Sequence, residues 1–146
     1  AIDVAMKWGI MIPEGHELVY VGQVAVEVFN QLIAPQIIQP TFVIGYPIEL
    51  YPNAKPHRSN PRIAEFAQLF INGFLFGTAT SDQTNPEELR TAMQTYEKTR
   101  PDVDSYFVSA LNYGVPPLSH LVLFLEPLSL LMLGTTNMRE VIPSLI

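Results

Sequence analysis

The sequence contains no cysteine and is poor in charged side chains. Without cysteine, disulfides, cysteine-ligated zinc and cysteine nucleophiles are excluded for this chain. Charged residues make up 15% of the sequence, against about 25% in typical domains, so much of the surface must be uncharged. Because 8 Lys and Arg face 14 Asp and Glu, the net charge is −6, which argues against a broad phosphate-binding surface.

Long apolar runs are also lacking. The longest, Leu121 to Leu133, is interrupted by Glu126 and Pro127 and is shorter than the roughly 20 residues that a membrane-spanning helix needs. No basic stretch followed by an apolar one opens the sequence, so neither a transmembrane segment nor a secretory signal is expected. The hydrophobic content of 48% disfavours disorder and is enough for the core of one domain.

The strongest hairpin signal is Asn72-Gly73, flanked by residues 68–71 and 74–76. Asn and Gly accept the positive φ angles of the type I′ turn that joins two antiparallel strands. The sequence therefore predicts a β-hairpin here.

A helix start is predicted at Asn85-Pro86-Glu87-Glu88. Asn caps the first turn, Pro suits the first helical position, and Glu at the third position completes a capping box. An apolar helix face follows, formed by Leu89, Ala92, Met93 and Tyr96.

The remaining pattern suggests an α+β domain around an antiparallel sheet. Val24 to Ile33 fits a helix better than a strand because the segment is about ten residues long and ends near Pro35. Thr41 to Tyr46 is expected to be a strand, and residues 47–62, with four prolines, an extended loop. Leu121 to Leu125 is expected to be a strand buried on both faces, before a helix that starts at Leu128 and ends at Gly134.

Several strings in the sequence resemble a known enzyme family over roughly residues 20–146. They are residues 37–42 (IIQPTF), 46–49 (YPIE), 52–59 (PNAKPHRS), 69–73 (LFING), 85–86 (NP) and 110–117 (ALNYGVPP). In order and spacing they resemble the C-terminal part of the catalytic domain of class II lysyl-tRNA synthetases. The resemblance implies an α+β fold, a truncated class II synthetase-like antiparallel sheet flanked by helices. The sequence leaves the localisation unknown; an intracellular protein is expected, in the cytoplasm or in an organelle such as the mitochondrion.

The resemblance also assigns the positions that bind metal and substrate in the family. The two glutamates that hold Mg²⁺ between ATP phosphates correspond to Gln68 and Leu75, neither of which is a carboxylate. The asparagine and the aromatic residue beside lysine correspond to Thr78 and Thr80. The glutamate for the substrate ammonium corresponds to Asp82, which keeps the charge and marks a possible residual amine site.

This sequence departs furthest from the family at motif 3. Its three glycines, which let the nucleotide approach the backbone, correspond to His120, Val122 and Phe124. Its acidic residue is Glu126, and its phosphate-binding arginine corresponds to Pro127, which has neither charge nor N–H donor. The family's anticodon-binding domain, motif 1 and motif 2 loop have no counterpart in this sequence.

These substitutions led us to expect a protein that is not an enzyme. Loss of one preorganised charged group typically costs about 10²–10³ in rate, and here several would be lost together. The preferred hypothesis is a non-catalytic structural or assembly subunit of a larger complex, with residues 1–20 as an extension and residues 21–146 as a partial synthetase-like domain. A lysine-like amine sensor acting through Asp82 and a fragment of a split lysyl-tRNA synthetase are the alternatives.

Few other side chains suggest chemistry. Lys55, His57 and Arg58 form the only basic cluster; contact with a phosphate or RNA is one interpretation, and a solvated loop is the favoured one. His120 has no Ser or Cys partner at a suggestive spacing, so a plain packing role is favoured. No cofactor or metal is expected. Other protein chains are the expected partners, because a sheet this short exposes unpaired edges.

Overall fold

The structure is a computed structural model that describes residues 21–97 and 105–141, with Lys7 and Gly9 as isolated positions. The proposed N-terminal extension, residues 1–20, otherwise lies outside the described residues. Its boundary with the domain stays a prediction.

Within residues 21–97 and 105–141, four helices and six strands follow one another, with short 3₁₀ and π turns between some of them. The helices are α1 (Val21–Val28), α2 (Pro86–Glu97), α3 (Ser105–Leu111) and α4 (Leu125–Leu133). The strands are β1 (Thr41–Ile44), β2 (Pro56–His57), β3 (Asn60–Ala64), β4 (Phe66–Ile71), β5 (Phe74–Ser81) and β6 (Ser119–Leu123). A π turn continues α1 over Phe29–Ile33, so the helix predicted from Val24 is confirmed.

The main sheet is antiparallel, with four strands in the order β1-β4-β5-β6. The predicted α+β architecture is therefore confirmed. Strands β2 and β3 form a separate antiparallel pair. The prediction of an extended loop over residues 47–62 is wrong, because the segment contains a 3₁₀ turn, Ile48–Leu50, and most of the β2–β3 hairpin. Pro56 and Pro61 are tolerated because a two-stranded pair has only edge strands.

The β4–β5 hairpin is the best-specified local element. Asn72 and Gly73 have φ angles of 52° and 78°, both positive as a type I′ turn requires, so this prediction is confirmed. The turn is anchored on the segment before β1, since the Asn72 and Gly73 amides donate to the carbonyls of Ile38 and Ile37. A bulge between Leu69 and Phe70 then shifts the β4–β5 register.

Helix α2 begins as predicted at its cap. The side-chain oxygen of Asn85 accepts from the amides of Glu87 and Glu88, at 3.0 and 3.4 Å, and its side-chain nitrogen donates to the Glu88 carboxylate. On the apolar face of α2, Leu89 is fully buried and packs in a cluster with Val108 and Leu111 of α3. This cluster covers the α2–α3 contact and not the sheet.

The C-terminal end of the sheet differs from expectation. Helix α4 begins at Leu125, three residues earlier than predicted, and ends as predicted at Gly134, whose φ is 66°. All five residues of β6 are exposed, so the prediction of a strand buried on both faces is wrong. The apolar run forms a strand, and no other element of the described residues packs over it.

Both outer strands of the sheet are open, as predicted. Among residues 21–97 and 105–141, β1 pairs only with β4, and β6 pairs only with β5. Large apolar side chains of these strands lie in solvent, with Ile44 75% and Leu121 60% exposed. Such surface is unusual for an isolated soluble domain.

Candidate functional site

Five of the positions that the resemblance singles out lie on one face of the main sheet. Thr78 of β5 lies opposite Gln68 of β4 and opposite Val122 of β6, and Thr80 lies opposite His120. Side chains directly opposite, or two apart on a strand, point to the same side of a sheet. We call this side, defined by these five residues, the site face.

Asp82 and His120 are in contact at one end of the site face. Nδ1 of His120 lies 3.0 Å from both carboxylate oxygens of Asp82. The Asp82 side chain is 18% exposed and that of His120 is 49% exposed. Asp82 follows β5 directly, and its amide donates to the carbonyl of Leu118 just before β6. The carboxylate therefore lies at the end of two paired strands, beside the His120 imidazole.

His120 corrects the sequence interpretation. The plain packing role favoured from sequence is wrong, because the imidazole is half exposed and contacts a carboxylate. Sequence offered no local signal: the two residues are 38 positions apart, and only the β5–β6 register brings them together. In this contact the imidazole Nδ1–H donates to the Asp82 carboxylate, which is only an acceptor.

Gln68 is held by a buried tyrosine. The Tyr46 hydroxyl donates a hydrogen bond to the side-chain oxygen of Gln68, a contact that the sequence did not reveal. Tyr46 stacks edge-on against Phe29, Tyr51 and Phe66, so its ring is fixed. Burial, with a smaller effect from Tyr51, raises the pKa of the Tyr46 hydroxyl well above its usual value, and the group stays a neutral donor.

Leu75 lies at the hairpin end of the sheet. It is opposite Phe70 at the bulge and is half buried. Asp82 lies beyond the other end of the same strand. The two positions that the resemblance assigns to metal ligands are thus filled by an apolar side chain and by an amide already bound to Tyr46.

Phe124 and Pro127 lie where β6 turns into α4. The Phe124 amide donates to the carbonyl of Phe76, and Phe124 caps the N-terminus of α4 in extended geometry. Pro127, in the first turn of α4, lines a depression of about 150 Å³ together with Phe76 and Leu130. The motif 3 positions therefore run the whole length of β6, from His120 beside Asp82 to this apolar junction.

The opposite side of the sheet, here called the apolar face, carries two rows of small and apolar residues. The rows are Phe42-Leu69-Gly77-Leu123 and Ile44-Ala67-Ala79-Leu121, each running across β1, β4, β5 and β6. An open depression of about 750 Å³ lies against this part of the sheet, with Phe42, Ile44 and Leu121 in its lining and His57 at its border. Lys55 and Arg58 line an adjoining depression, which shares Glu65, Ser81 and Ser119 with the first.

The described residues give no sign of a metal centre or a membrane helix. No three His, Asp or Glu side chains of residues 21–97 and 105–141 are close enough to bind one ion, and the expectation of no metal stays a prediction. In the same residues, none of the helices has the length and apolar character needed to cross a bilayer.

An antiparallel sheet flanked by helices, with these positions on one face, matches the fold class that the sequence resemblance implied. The chain belongs to the family of class II tRNA synthetases (D, K and N), whose sequence model matches residues 10–143. The sequence identification of the family is thus confirmed.

Similar proteins are lysine–tRNA ligases. The chain is 36% identical over 129 residues to the one of Thermosynechococcus vestitus, covering 84% of this chain and 26% of that protein. It is 37% identical over 138 residues to that of Nostoc punctiforme, covering 90% and 25%. It is 33% identical to the chloroplastic/mitochondrial enzyme of Arabidopsis thaliana, covering 83% and 25%. The chain spans about a quarter of the length of these relatives.

These relatives overturn one expectation from the sequence. We expected a protein that is not an enzyme, yet the proteins that match most of the chain at this level of identity are lysine–tRNA ligases. Because the chain matches only about a quarter of each relative, the substitutions at Gln68, Leu75 and Pro127 do not show that activity is absent.

Proposed function

We propose that this chain forms the amine-recognising part of a lysine–tRNA ligase catalytic domain. The observation that carries the proposal is the Asp82 carboxylate, held at the joined ends of β5 and β6 and largely shielded from solvent. A carboxylate in such a place attracts a primary ammonium group, because both charges are poorly screened there. Lysine has this group at the end of its side chain.

The neighbours of Asp82 suit an elongated substrate. Thr80, next on the site face, is buried, and Thr78 beyond it is half buried. Both threonine side chains are short and place a hydroxyl group along β5 without adding charge. An extended aliphatic chain lying along these threonines would bring its terminal ammonium to Asp82.

The nucleotide-binding part of the reaction requires residues from outside this chain. Gln68 and Leu75 provide no carboxylate for Mg²⁺, and Pro127 provides no cation for a phosphate. We propose that these positions have lost the roles that the resemblance gives them. The remaining three quarters of a ligase-length protein would then supply metal ligands and positive charge, within one polypeptide or as a separate one.

Calorimetry with lysine tests this proposal directly. We expect saturable binding of lysine, and weaker or undetectable binding of norleucine, which has the same carbon chain without the side-chain amine. Asp82→Asn should abolish the difference between the two ligands, because the amide keeps the shape and removes the charge. Glu87→Gln, at the exposed start of α2, is the matched control for loss of one carboxylate.

Two results would contradict the proposal. One is equal affinity for lysine and norleucine in the natural chain. The other is unchanged lysine binding by Asp82→Asn in a protein that keeps its circular dichroism spectrum. If lysine binds as expected, lysine-dependent ATP–pyrophosphate exchange by protein purified from its source cells then tests the complete activity.

A second function, in assembly, is favoured by the apolar face. We propose that other protein covers it together with the open edges of β1 and β6. Phe42 and Ile44 of β1 are 61% and 75% exposed, and Leu121 and Leu123 are exposed on β6, the opposite edge strand. An uncovered strand edge and an apolar sheet surface next to each other favour pairing with another chain segment.

Solution measurements on the purified chain test the assembly proposal. We expect self-association or strong binding of a hydrophobic dye, both reduced by Ile44→Thr together with Leu121→Thr, which keep β-branched or strand-compatible side chains. A monomer at high concentration that binds no dye would contradict it.

A further inference from the structure

A depression of about 400 Å³ lies at the polar end of the apolar face, next to Ser81 and Ser119. These two serines lie opposite each other on β5 and β6, one residue before Asp82 and His120 respectively. Because side chains alternate along a strand, they point to the opposite side of the sheet from Thr80 and His120. The depression is therefore distinct from the amine site proposed above.

Three backbone segments form a closed frame beneath this depression. The Lys55 amide donates to the Ser81 carbonyl at 2.8 Å, and the Ser81 amide donates to the Glu65 carbonyl at 3.0 Å. The Glu65 amide completes the ring by donating to the Lys55 carbonyl at 2.7 Å. Within this ring, each of the three residues donates one backbone hydrogen bond and accepts one. The backbone positions from which these three lining side chains start are therefore fixed relative to one another.

The side chains of the depression carry an excess of positive charge. Nε of Arg58 lies 3.3 Å from the Glu65 carboxylate, which offsets that negative charge. No carboxylate of the described residues forms an ion pair with Lys55, whose ammonium remains available. The bond through Nε leaves the terminal N–H groups of Arg58 as donors, and the Arg58 side chain is 92% exposed.

We infer that this depression binds a phosphate group. A compact oxyanion needs positive charge and several donors converging from different directions. Lys55 supplies a mobile ammonium, Arg58 supplies guanidinium N–H groups, and Ser81 and Ser119 supply two hydroxyls. The chain carries a net charge of −6, so this local positive charge is not a general property of its surface. The phosphate belongs either to a small molecule or to an RNA strand, and the two sources require the same lining.

Titration of the ¹⁵N-labelled full chain with inorganic phosphate, at constant ionic strength set by sodium chloride, tests the inference. We expect saturable shifts at the amides of Lys55, Ser81 and Ser119, and a rise in the dissociation constant of up to about fivefold in Lys55→Ala. Arg62→Ala removes one positive charge from neighbouring β3 without touching the depression, and should bind phosphate as the natural chain does.

A second pair of variants separates a real site from general charge attraction. Arg58→Ala both removes donors and uncovers the Glu65 carboxylate, so its phosphate affinity should fall further than that of Lys55→Ala. Adding Glu65→Ala to Arg58→Ala should restore part of the affinity. Equal affinities for all variants, or shifts that never saturate, would overturn the inference.

The source of the phosphate is resolved by a second ligand. A short single-stranded RNA that binds more tightly than inorganic phosphate, and loses this advantage in Lys55→Ala, would assign the site to RNA. Saturable binding of inorganic phosphate with no RNA binding would assign it to a small molecule, and both results support the site. Lysine binding at Asp82 is measured separately, so either proposal can fail alone.

Discussion

Nδ1 of His120 lies 3.0 Å from both carboxylate oxygens of Asp82, and this contact joins two positions that have different origins in the family. The resemblance gives Asp82 the place of the carboxylate that binds the substrate amine, and gives His120 the place of a motif 3 glycine. A side chain that replaces glycine thus reaches the group that would recognise the substrate. Any cation that binds Asp82 has to share or displace this imidazole.

Removal of the imidazole should therefore increase lysine affinity. Exposed ion pairs contribute about 0.2–1 kcal/mol, so His120→Ala should tighten lysine binding by up to about fivefold. His57→Ala is the control, because His57 is also exposed and bonds only within its own turn, to Ser59. Calorimetry at one fixed pH gives the comparison. A lower affinity in His120→Ala would mean that the imidazole assists the ligand and does not compete with it.

The buried Tyr46 should make the domain sensitive to alkaline pH. Burial raises the pKa of its hydroxyl in the folded state, whereas in the unfolded chain a tyrosine ionises near pH 10. The folded state therefore holds its proton more tightly, and stability is complete below about pH 10 and falls as the pH rises towards the folded value. Urea unfolding at about pH 7 and about pH 11 should show a lower midpoint at the higher pH.

Tyr46→Phe provides the matching variant. At neutral pH it should lower the free energy of unfolding by about 0.5–1.5 kcal/mol, since the hydrogen bond to Gln68 is lost. It should also remove most of the difference between neutral and alkaline midpoints. Tyr113→Phe, at a position that is 94% exposed, should change neither quantity. An alkaline loss that persists undiminished in Tyr46→Phe would assign it to other groups.

Gly77 is required for the close approach of β5 and β6. A Cβ atom at this position would lie 2.3 Å from the carbonyl oxygen of Val122, which is backbone and has little freedom to move. Gly77→Ala should therefore destabilise the domain by about 1–3 kcal/mol and weaken the pairing of β6 first. Amide hydrogen exchange should become faster in β6. Thr78→Ala, the next residue on β5, should leave the exchange of β6 amides nearly unchanged.

The N-cap of α2 allows a separate test of whether residues close together in sequence stabilise the start of this helix. Asn85→Ala removes the acceptor for two helix amides and the donor to Glu88, and should cost about 1 kcal/mol. For a domain of this size the melting temperature should fall by about 3 °C. Asn85→Asp keeps the acceptor and should retain most of the stability. Equal losses in both variants would show that the side-chain oxygen is not what stabilises the helix start.

Local chemistry explains which parts of the fold could be predicted. The Asn72-Gly73 turn and the Asn85 cap depend on residues close together in sequence, so their signals are complete within a few positions. The β2–β3 pair was missed because prolines usually disfavour strands, and only a two-stranded pair admits Pro56 and Pro61. The exposure of β6 was also missed, since an apolar run looks the same whether or not another layer covers it.

The sequence by itself determined the family, the α+β class, the main hairpin, the start of α2 and the residue types at the positions to which the resemblance assigns metal and substrate binding. Only the tertiary structure determines which residues those side chains contact. Antiparallel register brings His120 to Asp82 over 38 positions, and the packing around Tyr46 supplies the partner of Gln68. The same register divides Ser81 and Ser119 from Thr80 and His120 onto opposite faces, because side chains alternate along each strand. Residue types are local information, whereas distances between remote side chains depend on how the strands pair.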